Sequence, residues 1–401
     1  MTSRERLHNA IEFKPVDRIP KDLSGMRSTG ISCFAYPRLV EALGLPPRRP
    51  RVYDTGQMLA LPDIDVLDAL GCDCVTVDNH ITNAFDQPEL WHDYDFNGRL
   101  KAKVTNPEAY RTGPDGTIFQ SDARRMGPDS TVFNSDHAGC GIDLSVDAPV
   151  PDVEKHRQSC EQGKLTPEKV KELEAFYVKI RREANGRAVF ACHHSVLTGF
   201  SIGMGLYPVQ CVLYPEEVAT MHELSMERCI HNLRLLLPRT KDNMDVLIMS
   251  ADDWGTQSSL IASPDVFKTL FKPYYTRINE VAHELAPRLK LFLHSCGAIQ
   301  PLLGEIASCG FDIVNPVQWS AGGKTPAQWK AAAGRMALWG GGVNAQETLP
   351  LKSVVEVRAE VRRVVPELSK GGGYVFANTH NILAEIDAKK VVAMFEEAGK
   401  L

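Results

Sequence analysis

His294 and Cys296 stand two positions apart at the end of an apolar run, Leu289-Lys290-Leu291-Phe292-Leu293. An imidazole beside a thiolate is a donor pair suited to zinc. Side chains alternate along a β-strand, so the two residues are expected to point to the same side. A second run, Gly373-Tyr374-Val375-Phe376-Ala377-Asn378-Thr379, ends in His380 near the C-terminus. Three ligands with one position left open are what a catalytic metal requires. The same residues also fit a plainer reading, a cysteine packed as a small hydrophobe beside a hydrogen-bonded histidine.

These residues must be positioned by the elements around them, which alternate. β-rich runs are expected at residues 18–25, 72–78, 187–194, 244–253, 289–296, 312–317, 336–343 and 373–380, with helical patterns near 216–237, 299–308, 326–333, 351–368 and 387–399. Ser263-Pro264-Asp265 reads as a helix start, after which Phe267, Leu270, Phe271, Tyr274, Ile278 and Val281 form one apolar stripe. Eight strands with intervening helices predict an α/β fold, a (β/α)8 TIM barrel, although an open doubly wound sheet satisfies the same alternation. Between about residues 84 and 150, aromatic residues scattered among Gly, Asp, Pro and Asn predict a β-hairpin insertion after the second strand, within one domain spanning 1–401.

A barrel of this kind carries its active site at the C-terminal ends of the strands, and polar residues collect there. Arg27 follows the first expected strand, Asp78 the second, His193 and His194 the third, Asp252 and Asp253 the fourth. His294 and Cys296 close the fifth, Asn315 and Gln318 the sixth, Asn344 and Gln346 the seventh, and His380 the eighth. Only one of two adjacent carboxylates can enter the site from a strand, and Asp252 is taken as the inward one. Asp252 and His193 are the candidate catalytic groups. Arg27, Asp78, His194, Asp253, Gln318 and Asn344 are candidates for binding substrate, although an arginine more often ends in a structural ion pair. Gly340-Gly341-Gly342 and Gly371-Gly372-Gly373 fit no nucleotide loop and read as close approaches to strands.

With 401 residues, 43% hydrophobic and 24% charged, the chain has material for a large core. A formal charge of -5 gives no reason to expect nucleic acid or an anionic membrane as partner, and no stretch approaches the roughly 20 apolar residues that cross a bilayer. Ten cysteines lack the regular spacing of a disulfide scaffold, and Met1-Thr2-Ser3-Arg4-Glu5-Arg6 lacks the apolar core of a signal peptide, so a reduced, cytoplasmic enzyme is expected.

At Arg4-Glu5-Arg6, Val16-Asp17-Arg18-Ile19-Pro20, Ser263-Pro264, Lys272-Pro273-Tyr274 and His294-Ser295-Cys296-Gly297 the chain resembles the uroporphyrinogen decarboxylase superfamily. That superfamily includes the decarboxylase of haem synthesis and zinc- and corrinoid-dependent methyltransferases. The resemblance implies a (β/α)8 barrel with its site in a deep C-terminal cleft. The decarboxylase's Met-Arg-Gln-Ala-Gly-Arg segment is Met26-Arg27-Ser28-Thr29-Gly30-Ile31 here, lacking the second arginine. The methyltransferases are the nearer likeness, with a His-x-Cys pair and a later cysteine in a Pro-Gly-Cys-Gly turn as zinc ligands. Here that turn is Asn378-Thr379-His380-Asn381, which implies His380 in place of the third thiolate and a stronger Lewis acid.

The expectation is therefore a zinc-dependent methyltransferase of the O-demethylase type, moving a methyl group from a small methoxylated donor to a corrinoid. The corrinoid is expected on a separate partner protein, because no Asp-x-His-x-x-Gly segment occurs in the chain. A metal-independent decarboxylase of a small carboxylated substrate, with Arg27 and Asp78 as its electrostatic groups, is the alternative enzyme. A non-catalytic ligand-binding barrel is the alternative class, and a homo-oligomer stays open.

Overall fold

The computed structural model describes residues 1–120, 124–133, 147–200, 202 and 205–401. Cys140 and residues 121–123 and 134–146 of the expected insertion lie outside them. The chain is an α/β protein built on one curled sheet of eight strands. In chain order these are β1 (Cys74–Asp78), β2 (Ile81–Thr82), β3 (Ala188–Cys192), β4 (Val246–Ala251), β5 (Lys290–His294), β6 (Ile313–Asn315), β7 (Ala337–Trp339) and β8 (Tyr374–Val375). The order across the sheet is β8-β7-β6-β5-β4-β3-β1-β2, and every pairing is parallel except the β1–β2 hairpin.

Seven of the expected strands are present, shortened at their ends. The run at 18–25 forms a single parallel bridge, Lys21 to Phe376, instead of a strand. It nevertheless joins the two sides of the sheet. The Phe376 amide donates to the Pro20 carbonyl at 2.9 Å, and the Asp73 amide donates to the Lys21 carbonyl at 2.8 Å. This curled, barrel-like sheet replaces the open doubly wound alternative.

The apolar residues separate into two layers, as strands buried on both faces require. Phe190, Phe292 and Trp339 fill the concave side with edge-to-face ring contacts at 4.9, 5.4 and 5.7 Å. Leu7 and Ile11 of α1 (Ser3–Ile11) pack into the same cluster. The opposite faces of the strands pack against α2 (Pro167–Glu183), α3 (Pro215–Thr240), α4 (Lys272–Leu285), α5 (Pro326–Ala333), α6 (Val354–Ser369) and α7 (Ala388–Ala398). The Ser263 start is real: its hydroxyl accepts from the Val266 amide at 3.4 Å. A π-helical turn, Phe267–Phe271, then leads into α4, and Phe267, Leu270, Phe271, Ile278 and Val281 of the expected stripe are buried.

Antiparallel pairs His92–Asp95 with Lys101–Val104, and Tyr110–Thr112 with Ile118–Gln120 and Arg125–Met126, lie between β2 and α2. No helix among the described residues is long and apolar enough to cross a membrane.

Candidate metal centre and its cavity

His294 is the last residue of β5, and its register partner on β6 is Asn315. The two side chains therefore share a face, and His294 Nδ1 lies 2.7 Å from Asn315 Oδ1. The Asn315 amide group is fixed independently: its Nδ2 donates to the Trp339 carbonyl at 2.9 Å, and Ser28 Oγ donates to Oδ1 at 2.6 Å. An oxygen accepts only, so His294 carries its proton on Nδ1 and presents the Nε2 lone pair. Cys296 Sγ lies 3.2 Å from that Nε2.

The loop after β5 is held by backbone fit. Gly297 has φ +86°, and a Cβ there would lie 2.3 Å from the Gly255 carbonyl, so only glycine lets the two chains approach. The Gly297 amide donates to Gln318 Oε1 at 2.9 Å, and the Cys296 amide donates to Asp253 Oδ1 at 2.7 Å. His380 arrives on the turn after β8. Its neighbour Asn381 donates to Gln57 Oε1 at 2.6 Å and accepts from the Gly30 amide at 3.2 Å, while Asn378 Nδ2 donates to the His380 carbonyl.

The ligating atoms of His294, Cys296 and His380 all lie within 4.8 Å of one another. Tetrahedral zinc separates N and S donors by about 3.5 Å, so ordinary side-chain rotation closes the set. Burial, reinforced by the Asp253 charge, pushes the Cys296 thiol well up. Burial, with His294 nearby, pushes His380 down to about 4. A neutral imidazole and a thiol that a cation would deprotonate are the state from which such a site is loaded. On donor type, spacing and protonation the three residues fit zinc.

Asp253, not Asp252, is the inward carboxylate, which corrects the sequence expectation. Ile248 on β4 pairs with Phe292, and both face the inner cluster. The register then slips, so that Ser250 pairs with Leu293 of the outer layer and Ala251 with His294. One extra residue reverses the alternation. Asp252 consequently points into the outer layer, accepting from the Ile202 amide at 2.5 Å, Trp254 Nε1 at 2.9 Å and Tyr275 Oη at 3.2 Å. Complete burial pushes it up to about 7 despite these donors. Asp253 Oδ1 lies 3.6 Å from His294 Nε2. Burial pushes Asp253 upward, but the His294 ring and the Cys296 amide outweigh it and hold the carboxyl below its usual value.

Arg27 and Asp78 pair with each other rather than standing free. Arg27 Nε donates to Asp78 Oδ2 at 2.8 Å, and Nη1 lies 3.3 Å from Asp54. Asp78, Cys192 and His194 form a second cluster of ligand-type atoms within 4.8 Å, but the Arg27 guanidinium already meets the charge of its only carboxylate. His193 turns to Ser195, whose Oγ lies 2.6 Å from its Nδ1, and burial with His194 nearby pushes it down to about 4. The structure therefore does not bring His193 into contact with the three candidate ligands. Asn344 Oδ1 accepts from the Gln346 and Glu347 amides at 2.9 and 3.2 Å. Asn344, Gln318 and Gln346 line a cavity of 230 Å³ that also includes His380.

A larger cavity, 760 Å³, contains His380, Asn381, Arg27, His194, Tyr53 and Arg124 in its wall. Asn315 stood among the strand-end residues, but its orienting role, the Gln57–Asn381 bond and Arg124 carry no sequence motif. The register partnership of the expected fifth and sixth strands was the one available pointer to Asn315.

Residues 207–401 match the family model described as Uroporphyrinogen decarboxylase (URO-D). This matched stretch, slightly under half of the chain, resembles the uroporphyrinogen decarboxylase family. His294, Cys296, His380 and Asp253 all fall within it. A methyltransferase from Methanosarcina mazei aligns over 100% of this chain and 99% of its own at 16% identity, with a TM-score of 0.47. A psychrophilic glycoside hydrolase family 10 endo-beta-1,4-xylanase covers 40% of this chain and 58% of its own at 15% identity, with a TM-score of 0.25. An endo-1,4-beta-xylanase from Caldicellulosiruptor owensensis covers 43% and 69% at 13% identity, with a TM-score of 0.26. At such identities and scores these likenesses do not bear on activity. No curated protein matches the chain.

Proposed function

We propose that this chain is a zinc-dependent methyltransferase that takes a methyl group from a small methoxylated donor and passes it to a corrinoid carried on a separate protein, in the cytoplasm. The single observation carrying this reading is the convergence of His294, Cys296 and His380, with ligating atoms within 4.8 Å of one another. Their sheet would be a complete (β/α)8 barrel, with the Lys21 segment as its first strand and 84–150 as an insertion in one domain.

Zinc at these three residues would supply a Lewis acid for the oxygen that departs when the methyl group leaves. The rest is work for the chain itself. Asn315 fixes the His294 tautomer, so the ligand face does not depend on solvent. Asp253, ionised and joined to the Cys296 amide, holds that loop in place and offers an acceptor for a donor hydroxyl beside the ligands. His380 links ligand set and cavity, and 760 Å³ lies within the roughly 300–1,000 Å³ usual for small-molecule pockets. Binding there would orient the methyl group and exclude water, while the carrier's corrinoid receives it. The decarboxylase alternative gains nothing here, because Arg27 is already paired with Asp78 and Asp54.

The test mixes purified enzyme, a reduced corrinoid protein and a panel of methoxylated compounds. Methylcobalt, seen in the visible spectrum, is expected only with enzyme and zinc present. Carbon dioxide release from a carboxylated substrate by metal-free enzyme, with no methylcobalt from any donor, would reverse the choice.

A further inference from the structure

Arg124 stands immediately before Arg125–Met126, the last strand of the three-stranded sheet, and contributes to the wall of the 760 Å³ cavity. Its position is anchored, since its carbonyl accepts from the Gln120 amide at 2.8 Å and Gln120 Nε2 donates to Thr55 Oγ1 at 2.7 Å. Its guanidinium lies over Gly56, with Nη1 3.5 Å from where a Cβ would stand. The next residue, Gln57, bonds Asn381 beside His380, so Arg124 and the candidate ligands are joined by one short turn. Among the described residues the Arg124 guanidinium has no hydrogen-bond or ion-pair partner, whereas the cavity's other arginine, Arg27, is met by Asp54 and Asp78. Leu59, Phe133 and Ile382 give the same cavity apolar wall.

A guanidinium without a partner among the described residues, apolar wall, and His380 of the metal-type donor set in one cavity describe a ligand with an anionic end and an apolar body. Guanidinium matches carboxylate with two parallel hydrogen bonds. We propose that Arg124 binds the carboxylate of the methyl donor, which makes the donor a small methoxylated carboxylic acid with a flat or aliphatic apolar body. This deepens the methyltransferase reading and rests on it for the word donor, while the carboxylate site itself is tested by binding alone.

Calorimetry on zinc-loaded enzyme would compare 2-, 3- and 4-methoxybenzoate and methoxyacetate with their uncharged amides. At least one acid should bind roughly tenfold tighter than its amide, the worth of a charge-assisted hydrogen bond. Arg124→Met should abolish that preference and Arg124→Lys should keep part of it, with zinc content and melting temperature unchanged in both. Absence of any acid preference in the unaltered enzyme, or its survival in Arg124→Met, overturns the assignment. Arg124-dependent binding without zinc or methylcobalt formation would uphold this site and sink the methyltransferase reading; methyl transfer without acid preference would do the opposite.

Discussion

Asn315 accepts the Nδ1 proton of His294 at 2.7 Å, across the register pair that joins β5 to β6. This bond decides which ring nitrogen faces Cys296 and His380. Partners of this kind are typically worth 10–100-fold in metal affinity. Asn315→Ala is therefore expected to weaken zinc binding by about that factor in a chelator competition, while Asn315→Asp, which keeps the acceptor, should lose less. Equal affinity in Asn315→Ala and the unaltered enzyme would show that the tautomer does not need fixing.

His294 and Cys296 were legible because a two-residue spacing on a strand survives any choice of strand ends. His380 was legible only as a histidine at the end of a late β-run. Nothing in its spacing says that the turn is tied to Gln57 and Gly30, since those bonds join residues more than 300 positions apart. Asp253 was misread for a different reason. Alternation is a rule about uninterrupted strands, and the slip between Ile248 and Ser250 has no residue signature in Ile248-Met249-Ser250. The run at 18–25 was long enough for a strand, yet its pairing narrows to Lys21, where Asp73 and Phe376 take the backbone groups on either side.

Cys296 supplies the only thiol in the ligand set. Enzyme purified without chelator is expected to carry about one zinc per chain, the count for a single three-ligand site. Cys296→Ser should lose most of it by elemental analysis, because a neutral hydroxyl replaces a thiolate. Full occupancy in that variant would remove Cys296 from the ligands.

His380 stands at the junction of the two cavities and the ligand set, so its removal separates metal binding from folding. His380→Ala is expected to lose zinc or methyl transfer at an unchanged circular dichroism spectrum, and His380→Cys should rebind zinc with altered reactivity. Unaltered zinc affinity and activity in His380→Ala would pass the third position to Asp253, whose carboxylate oxygen lies 3.6 Å from His294 Nε2.

Asp245 tests the scaffold, away from the chemistry. It is fully buried just before β4 and meets Arg4 at 2.6 Å, His8 at 2.8 Å and Arg181 at 2.7 Å, and it accepts from the Val189 amide at 2.8 Å. Burial pushes its carboxyl upward, but the His8 bond and the Arg181 charge outweigh this and hold it well below the usual carboxylate range. An acid depressed in the folded state contributes stability above its unfolded pKa, near ~3.9, and loses it as pH falls toward the folded value. Asp245→Asn should cost about 3 kcal/mol in urea denaturation at pH 7, because it leaves the partly buried Arg4 and Arg181 without their carboxylate. Below about pH 4 the unaltered enzyme should lose stability faster than Asp245→Asn, so that the two curves converge. Curves that stay parallel from pH 5 to pH 2 would mean that Asp245 is not ionised in the folded chain, and that the four contacts hold it by hydrogen bonding alone.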